Sequence, residues 1–401
     1  MKQCLLFITI VALMFGCSMG GDDTGPLAES WSEIQSQAQG SQVKFYMHGG
    51  QSDVNLWIDT YVAEEVKQRF GVTLVRVPLN AGIAVHKLAA EKTIGKDVGG
   101  IDLLWINGEN FKNAREAGVL FGPFAEKLPN YVKYVDKWLA SYDFGYPVEG
   151  YEVPFGRTQF VFEYDSTAVD TPPRTFIDLL AWVKEHPGRF TYPAPPDFTG
   201  AAFVRQIFYG LTGGPERFLS GWDQNIYDKA SPKVWEYLNA MKPYLWREGR
   251  EYPKDEAELD ALFAAGEIDI SMAYGPQHAA AKILDKSFGS QVRTFVMTEG
   301  TLFNVHFVAI PQSAPNKAGA LVVANFLLSP EAQLSKCIPA NWGDYPSINL
   351  DTLSKEQWDA FNAIKRHDST LAPAELERAA MPEISAEYVE ALQKGWMENV
   401  R

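Results

Sequence analysis

Cysteine is scarce in this 401-residue chain. There are three cysteines, Cys4, Cys17 and Cys337, and the first two lie in the leading segment. A single thiol beyond that segment can form neither an internal disulfide nor a metal site by itself. The sequence therefore excludes a disulfide-stapled scaffold and a cysteine-based metal centre.

The usual catalytic motifs are also missing. The chain has no G-x-G-x-x-G or G-x-x-x-x-G-K-[ST] loop and no G-x-S-x-G turn. Its histidines lack the H-x-x-x-H spacing of a zinc site, so we predict neither a cofactor nor a metal. A pair of catalytic carboxylates stays open, because 50 acidic residues always allow two to meet in space. The six histidines are His48, His86, His186, His278, His306 and His367.

Positive charge is in deficit. The chain has 36 Lys and Arg against 50 Asp and Glu, for a formal net charge of −14. Such a surface repels phosphate, so we expect no nucleic-acid partner and no direct binding to anionic membranes. Aromatic residues reach 13%, which fits either a ligand cleft lined by flat rings or simply larger cores. The length favours two lobes, because a single core rarely grows beyond about 250–300 residues.

Long apolar runs are absent after the N-terminus. Lys2 precedes one such run, Leu5–Phe15, which is shorter than the roughly 20 residues of a membrane-spanning helix and is typical of a secretory signal. Gly16-Cys17 resembles the bacterial lipobox, although the two residues before Gly16 depart from its usual pattern, and plain cleavage nearby is the alternative. We predict a signal peptide at 1–16 and a flexible tether at 17–30 that is anchored by lipid on Cys17.

Strand-like and helix-like segments alternate after the tether. Strands are predicted at Val43–Met47, Val72–Val77 and Ile101–Ile106, with helices between them. This βαβαβ order favours an α/β fold with a mostly parallel sheet flanked by helices. A second α/β unit follows, from about Val153 to the strand Ile268–Tyr274.

The candidate ligand-binding residues lie where strands should end, since ligands of open α/β sheets bind beyond the carboxyl ends of strands. For each loop the alternative is an ordinary turn, and for each aromatic residue it is burial in a core. In the first unit the candidates are His48, Gly49, Gly50, Asn80, Asn107, Gly108, Glu109, Asn110 and Phe111. Further along the chain they are Arg157, Tyr192, Thr199 and Tyr274, with Trp342 and Tyr345 in a loop rich in Pro and Gly.

Together these features resemble the substrate-binding proteins of bacterial ABC importers, which have the two-lobed, type II periplasmic-binding fold. The resemblance runs from about Trp31 to the C-terminus. Val153–Tyr164 resembles the outgoing hinge strand of these proteins, and Asn304–Pro311 resembles the return strand. The longest similar strings, Ile101–Phe111 and Phe190–Gly200, are those of the YnjB-type members.

The resemblance implies two lobes joined by hinge crossings, each with a mostly parallel sheet: 31–155 plus 306–340, and 156–305 plus 341–401. It implies an exported, monomeric, non-enzymatic protein of the periplasm or cell surface. Such a protein closes around a small solute and delivers it to an ABC permease with its ATPase subunit. The ligand is not named by the resemblance. The sequence has no obvious adjacent tyrosine pair, which makes iron a less attractive ligand. A thiamine-like or amine cation fits the acidic and aromatic residues better.

Two other classes of function remain open. A secreted glycoside hydrolase, or another carbohydrate-active lipoprotein, would use the aromatic residues to stack sugars, and it would show sustained product formation. An adhesion or scaffold lipoprotein would show no ligand-dependent closure.

Glu109 also has two interpretations. A carboxylate at a helix N-terminus gains about 0.3–1 kcal/mol from the dipole, whereas the functional alternative is that Glu109 faces a cationic group of the ligand.

The lipobox interpretation predicts that Cys17→Ala releases the protein from membranes or blocks its processing. Stable anchoring takes more than a single lipid chain, and a lipidated N-terminal cysteine supplies several. Membrane fractionation with mass spectrometry of the mature protein is the measurement. Unchanged membrane retention together with an unchanged mature mass would contradict lipidation.

Overall fold

The computed structural model describes residues 25–137 and 140–401. The predicted signal peptide, Cys17 and most of the tether at 17–30 therefore lie outside the described residues. The strands are β1 (Gln42–Met47), β2 (Thr73–Pro78), β3 (Leu103–Ile106), β4 (Tyr142–Asp143), β5 (Tyr146–Pro147), β6 (Glu152–Gln159), β7 (Val161–Asp165), β8 (Ile270–Ala273), β9 (Val292–Phe295), β10 (Thr301–Ala309) and β11 (Ala380–Pro382).

Helices fill most of the remaining chain, and within the described ranges none is both long and apolar enough to cross a bilayer. The α-helices are α1 (Trp31–Ala38), α2 (Ser52–Trp57), α3 (Ala63–Phe70), α4 (Ala81–Thr93), α5 (Glu109–Glu116), α6 (Pro129–Tyr134), α7 (Phe176–Glu185), α8 (Phe198–Thr212), α9 (Gln224–Met241), α10 (Glu256–Ala264), α11 (His278–Leu284), α12 (Lys317–Leu327), α13 (Pro330–Cys337), α14 (Lys355–Asn362), α15 (Pro373–Ala379) and α16 (Ala386–Asn399). A π-helical turn, Ile58–Val62, joins α2 to α3.

The first sheet contains the predicted βαβαβ unit. Strand β1 pairs in parallel with β2 and with β3. Strand β10 then lies antiparallel to β3 on one side and antiparallel to β6 on the other, while β11 runs parallel to the beginning of β10. The prediction of an α/β fold with parallel strands in this unit is confirmed. We call this sheet and the helices that pack on it the first lobe.

The second sheet differs from the prediction in strand direction. Its central strand β7 runs antiparallel to both β8 and β9, whereas a mostly parallel sheet was expected. The reason is that β7 continues from β6 through Phe160 alone, so its direction is set by the strand that leaves the first lobe. We call this sheet and its helices the second lobe.

Two of the crossings between the lobes lie next to each other. The chain leaves the first lobe through β6 and β7 and returns through β9 and β10. Strands β6 and β10 pair from Glu152 opposite Ala309 to Gln159 opposite Phe303, and the N–H of Phe160 donates to the carbonyl of Leu302 at 2.8 Å. The two crossings therefore lie side by side as one hydrogen-bonded ribbon.

Each lobe has its own hydrophobic core. Phe45, Leu103 and Leu321 are fully buried in the first core, and Phe203 and Trp396 are buried in the second. The last helix, α16, thus belongs to the second lobe. The lobe division implied by the resemblance begins the final second-lobe segment at 341, but the ring of Trp342 packs in the first core.

Helix ends follow capping chemistry. Ser329 caps α13 by accepting from the N–H of Ala332 at 3.2 Å, as Ser-Pro-Glu indicates. The Asp197 carboxylate caps α8 by accepting from the N–H of Gly200 at 2.9 Å. Asp223 caps α9, which accommodates Pro232 in its interior.

Glu152, at the start of β6, is a buried carboxylate without compensation. Its exposed fraction is 0%, and neither carboxylate oxygen has a hydrogen-bond partner among the described residues. Burial raises the pKa of Glu152 well above its ordinary value, nearby Asp143 raises it further, and Arg115 only partly opposes the shift. Because the folded state binds this proton more tightly than the unfolded chain does, the free energy of unfolding falls as pH rises above the ordinary pKa of 4.5.

We therefore predict that Glu152→Gln stabilises the protein at pH 8, because the amide carries no charge to bury. The expected gain is about 1–3 kcal/mol, the desolvation penalty of one unsatisfied buried polar group, and it should shrink towards zero near pH 4.5. Thermal unfolding at both pH values is the measurement. Glu126→Gln, which alters an exposed ion pair with Lys137, is the control and should change little. An equal effect of Glu152→Gln at both pH values would rule out the charge-burial explanation.

Candidate ligand-binding cleft

The carboxyl ends of β1 and β2 bring two predicted loops to one edge of the first sheet. Met47 lies opposite Pro78 in the parallel register, so His48 and Asn80 follow at the same edge. Gly49 is required here, since a Cβ at that position would lie 2.9 Å from Cβ of Pro78. Partial loss of solvent lowers the pKa of His48, and the carboxylate of Asp255 in the second lobe opposes that shift. This edge therefore faces the second lobe.

Asn80 and Asn110 flank the start of α4. The side-chain oxygen of Asn80 accepts from the N–H of Gly82 at 2.9 Å and caps this helix. A Cβ at Gly82 would lie 3.1 Å from the side-chain oxygen of Asn110. The structure thus brings two of the predicted amides together, and it gives Asn80 the capping role of an ordinary turn residue as well.

Gly108 fixes the loop after β3. Its φ is +62°, a conformation that glycine adopts without strain. The N–H of Gly108 donates to the Asp143 carboxylate at 2.6 Å. The ring of Phe144 would lie 3.3 Å from a Cβ at Gly108, and Phe144 also packs in the second core. The short hairpin of β4 and β5 therefore holds this loop against the second lobe.

Glu109 is half-buried at the first position of α5. Loss of solvent is the main cause of its raised pKa, and the positive charge of Arg205 opposes that shift. Glu390 and Glu383, which like Arg205 belong to the second half of the chain, raise the pKa further. Glu109 therefore lies within electrostatic reach of charges on the facing lobe.

The facing wall is a buried ion pair. The Arg205 guanidinium donates to both oxygens of the Glu383 carboxylate, each at 2.8 Å, and the two side chains are 2% and 4% exposed. The hydroxyl of Tyr274 donates to the same carboxylate at 2.8 Å. The guanidinium carbon lies 5.7 Å from the ring centre of Phe144 and 5.8 Å from that of Phe198. The cleft thus combines aromatic rings with a surplus of carboxylates.

Asp143 belongs to the same acidic surroundings. Burial raises its pKa well above the ordinary range, the N–H of Gly108 opposes that shift, and the charges of Glu109 and Glu383 add to it. Among Glu109, Asp143, Glu383 and Arg205 there are three carboxyl groups and one cation. A positively charged group entering this space would be attracted by these carboxyl groups.

A second group of predicted residues meets at the crossing strands. Arg157 of β6 and Tyr345 exchange backbone hydrogen bonds of 3.3 and 3.1 Å, and the guanidinium lies 5.8 Å from the Tyr345 ring centre. The ring of Trp342 lies 5.9 Å from that of Trp105 and 5.5 Å from that of His306. This group ties the loop before α14 to β3, β6 and β10.

Phe111 and Tyr192, which were predicted as ligand contacts, are buried in the hydrophobic cores of this structure. Phe111 is 0% exposed and packs against Tyr146 with 6.0 Å between ring centres. Tyr192 is also 0% exposed, and its hydroxyl accepts from the indole N–H of Trp396 at 3.0 Å. For both residues, burial of the large ring in a core is more stabilising than its exposure at the cleft would be. Thr199 is buried as well, and its hydroxyl donates to Glu256 at 2.6 Å.

Several residues of the cleft were missed by sequence reasoning. One signal was available: a lone arginine stands in the apolar run Gly200–Gly210 of α8, and a charge buried in such a helix needs a partner. The partner lies far along the chain, so pairing was not visible in the sequence. The missed residues are Asp143, Phe144, Phe198, Arg205 and Glu383.

The fold as a whole matches that of two-lobed binding proteins. The periplasmic binding protein AfuA from Actinobacillus pleuropneumoniae, solved with fructose-6-phosphate bound, superposes with a TM-score of 0.61 at 16% identity, covering 90% of this chain and 98% of that one. The spermidine/putrescine ABC transporter substrate-binding protein PotD from Streptococcus pneumoniae gives a TM-score of 0.60 at 15% identity, covering 89% and 98%. The fold is therefore that of type II periplasmic binding proteins.

The family follows from sequence. The family of bacterial extracellular solute-binding proteins matches residues 61–365, and Protein YnjB of Escherichia coli (strain K12) is 39% identical over 373 residues, which are 92% of this chain and 94% of the relative. The chain belongs to the bacterial extracellular solute-binding proteins, and it is the solute-binding component of an ABC transporter. Membership implies a small-molecule solute, a permease partner and a periplasmic or exported location.

Proposed function

We propose that this protein binds a small organic cation, an amine or a thiamine-like molecule, between its two lobes and delivers it to an ABC permease and its ATPase. The observation that carries the proposal is the charge of the cleft. Arg205 and Glu383 neutralise each other through two 2.8 Å hydrogen bonds, which leaves Glu109 and Asp143 as surplus carboxyl groups. A charge-assisted hydrogen bond to such a group contributes about 1.5–3 kcal/mol.

The aromatic side chains support the same ligand class. Phe198 is 43% exposed, and its ring centre lies 5.0 Å from that of Tyr274. Phe144 lies between the two lobes, since its ring lies next to Gly108 of the first lobe and packs in the second core. Aromatic faces attract organic cations by about 0.5–2 kcal/mol, and more strongly as water is excluded. Acidic and aromatic groups together favour a cation over a sugar or a phosphate.

Contacts across the cleft support closure as the mechanism. Lys112 of α5 forms a 2.8 Å ion pair with Glu387 of α16, and the hydroxyl of Thr158 on β6 donates to the carbonyl of Tyr274 at 2.9 Å. A solute that touches both lobes favours the closed arrangement because it gains contacts with both only there. The paired crossings would then act as the hinge.

The proposal also covers the oligomeric state, the membrane anchor and the lobe boundaries of the protein. We propose a monomer that binds without catalysis and is held at the membrane by lipid on Cys17. The lobes would divide near the crossings, at 31–155 plus 306–340 and 156–305 plus 341–401, with Trp342 staying in the first core. Incubation with candidate glycosides should give no sustained product formation, which separates a binder from a secreted glycoside hydrolase.

The sharpest test is Glu109→Gln. We expect at least tenfold weaker binding of the co-purified cation, equivalent to about 1.4 kcal/mol, since the variant loses one charge that faces the ligand. Wild-type affinity should also fall as the pH drops towards the raised pKa of Glu109, because protons compete with the cation, and the variant should lose most of that dependence. Titration calorimetry between pH 5 and 8 is the measurement, after mass spectrometry has identified the ligand.

Glu116→Gln is the matched control, because Glu116 lies on the same helix with its side chain exposed. Its affinity and its pH dependence should equal those of the wild type. Wild-type affinity in Glu109→Gln with a slightly lowered Tm would leave Glu109 only its role at the helix N-terminus and would end the cation-contact interpretation.

Closure predicts that ligand compacts the molecule. Small-angle scattering at saturating ligand should give a smaller radius of gyration than that of the ligand-free protein. The Tm should rise as well, because binding to the native state alone stabilises it by about 2.7 kcal/mol at a hundredfold excess over Kd. A solute that the protein does not bind is the control. An identical radius with and without ligand would argue for a rigid binder or a scaffold.

A further inference from the structure

The second lobe contains a buried cluster of charged side chains behind the cleft wall. The two imidazole nitrogens of His278 face carboxylates: Nδ1 lies 2.9 Å from Glu163 and Nε2 lies 3.2 Å from Asp260. Glu163 is 0% exposed and Asp260 is 7% exposed. One donor atom from each of the three residues lies within 4.8 Å of the others. The three come from β7, α10 and α11, so they converge from three separate elements.

The hydrogen bonds within the cluster leave two carboxylate oxygens without a partner among the described residues. Glu163 Oε2 and Asp260 Oδ1 are buried and have no partner among the described residues. Each belongs to a carboxylate whose other oxygen already contacts His278, so both free oxygens lie at the cluster. Ser271 lies directly opposite Glu163 in the sheet, and its buried hydroxyl also lacks a partner within the described chain. Buried polar atoms of this kind are normally satisfied.

Charge also leaves room for a cation. Besides Glu163 and Asp260, Glu256 places a carboxylate oxygen 3.9 Å from Nε2 of His278. Lys282, 2.9 Å from Asp260 Oδ2, is the lysine paired with this group, and its contact leaves Asp260 Oδ1 free. Burial favours the uncharged imidazole of His278, but the carboxylates of Asp260 and Glu163 outweigh that effect and raise its pKa well above the ordinary value. A metal ion would therefore have to displace the imidazole proton, and three carboxylates, one lysine and the imidazole without that proton would carry a net charge of −2. A divalent cation would neutralise that charge.

We propose that Glu163, Asp260 and His278 form a binding site for a divalent transition-metal ion, with Glu256 as a fourth donor. An imidazole nitrogen with carboxylate oxygens suits Zn²⁺ and related ions, whereas Ca²⁺ takes oxygen ligands only. The histidine spacing in the sequence does not reveal such a site, because its residues lie far apart along the chain.

The site has a structural connection to the cleft. The other oxygen of Glu256, Oε2, accepts from the hydroxyl of Thr199 at 2.6 Å and from the N–H of Tyr274 at 3.3 Å. Tyr274 in turn contacts Glu383 of the cleft wall. A metal held by the cluster would therefore fix the end of β8 and the beginning of α8, which carry two of the cleft's aromatic side chains, Tyr274 and Phe198. The metal would act as a structural clamp and not as a ligand of the transported solute.

The test is equilibrium dialysis of the ligand-free mature protein against Zn²⁺, followed by elemental analysis. We expect one Zn²⁺ per chain, and at least tenfold weaker binding in both Asp260→Asn and Glu163→Gln. Glu331→Gln, an exposed position on α13, is the matched control and should bind as the wild type does. Because no solute is present, the result does not depend on the proposed cation ligand of the cleft.

Two further measurements need no variant that might unfold. Co²⁺ added to the wild-type protein should give a visible absorption band of a nitrogen- and oxygen-ligated ion, and Zn²⁺ should abolish the band. Ca²⁺ at the same concentration should not compete. Absence of stoichiometric Zn²⁺ binding would overturn the site, and so would Ca²⁺ binding as tight as that of Zn²⁺ or full Zn²⁺ affinity in both carboxamide variants.

Discussion

The pairing of β6 with β10 is the interaction on which the rest of the structure depends. Both strands belong to the first sheet; β6 continues into β7 of the second sheet, and β10 follows β9 of that sheet along the chain. The backbone hydrogen bonds along this ribbon fix the distance between the lobes and the direction of β7. Every interlobe contact described above, including Lys112 with Glu387, requires that alignment.

The wall of the cleft contains a charged side chain, Arg205, that is buried from solvent and compensated by a partner. An isolated buried arginine would be very unfavourable, and the Glu383 carboxylate compensates Arg205 by accepting two hydrogen bonds of 2.8 Å from its guanidinium and a third of 2.8 Å from the hydroxyl of Tyr274. That pairing uses the one guanidinium of the group, which leaves the carboxyl groups of Glu109 and Asp143 in excess. Removal of one partner of such a buried pair leaves the other charge without compensation, which is strongly destabilising.

Local patterns predicted a large part of the fold, because they depend on neighbours in sequence. The alternation of strands and helices predicted the parallel unit of β1, β2 and β3, and Ser329 marked the start of α13. The loop at Glu109 was found because strand ends are visible in the sequence. Arg205 and Glu383 were not found as a pair, because 178 positions separate them. A sequence pattern also cannot tell a ring that faces a cleft from one that faces a core, and the rings of Phe111 and Tyr192 are buried.

The central position of β10 governs the order in which the molecule folds. Ile106 of β3 pairs with Phe307, so the first sheet stays incomplete until about three quarters of the polypeptide has emerged from the ribosome. Contacts this distant in sequence slow folding, because the entropy of closing a long loop is lost before the strands pair. An early N-terminal fragment would contain β1, β2 and β3 with one edge of β3 unpaired. Pairing of this edge therefore has to wait for residues that come about 200 positions later in the chain.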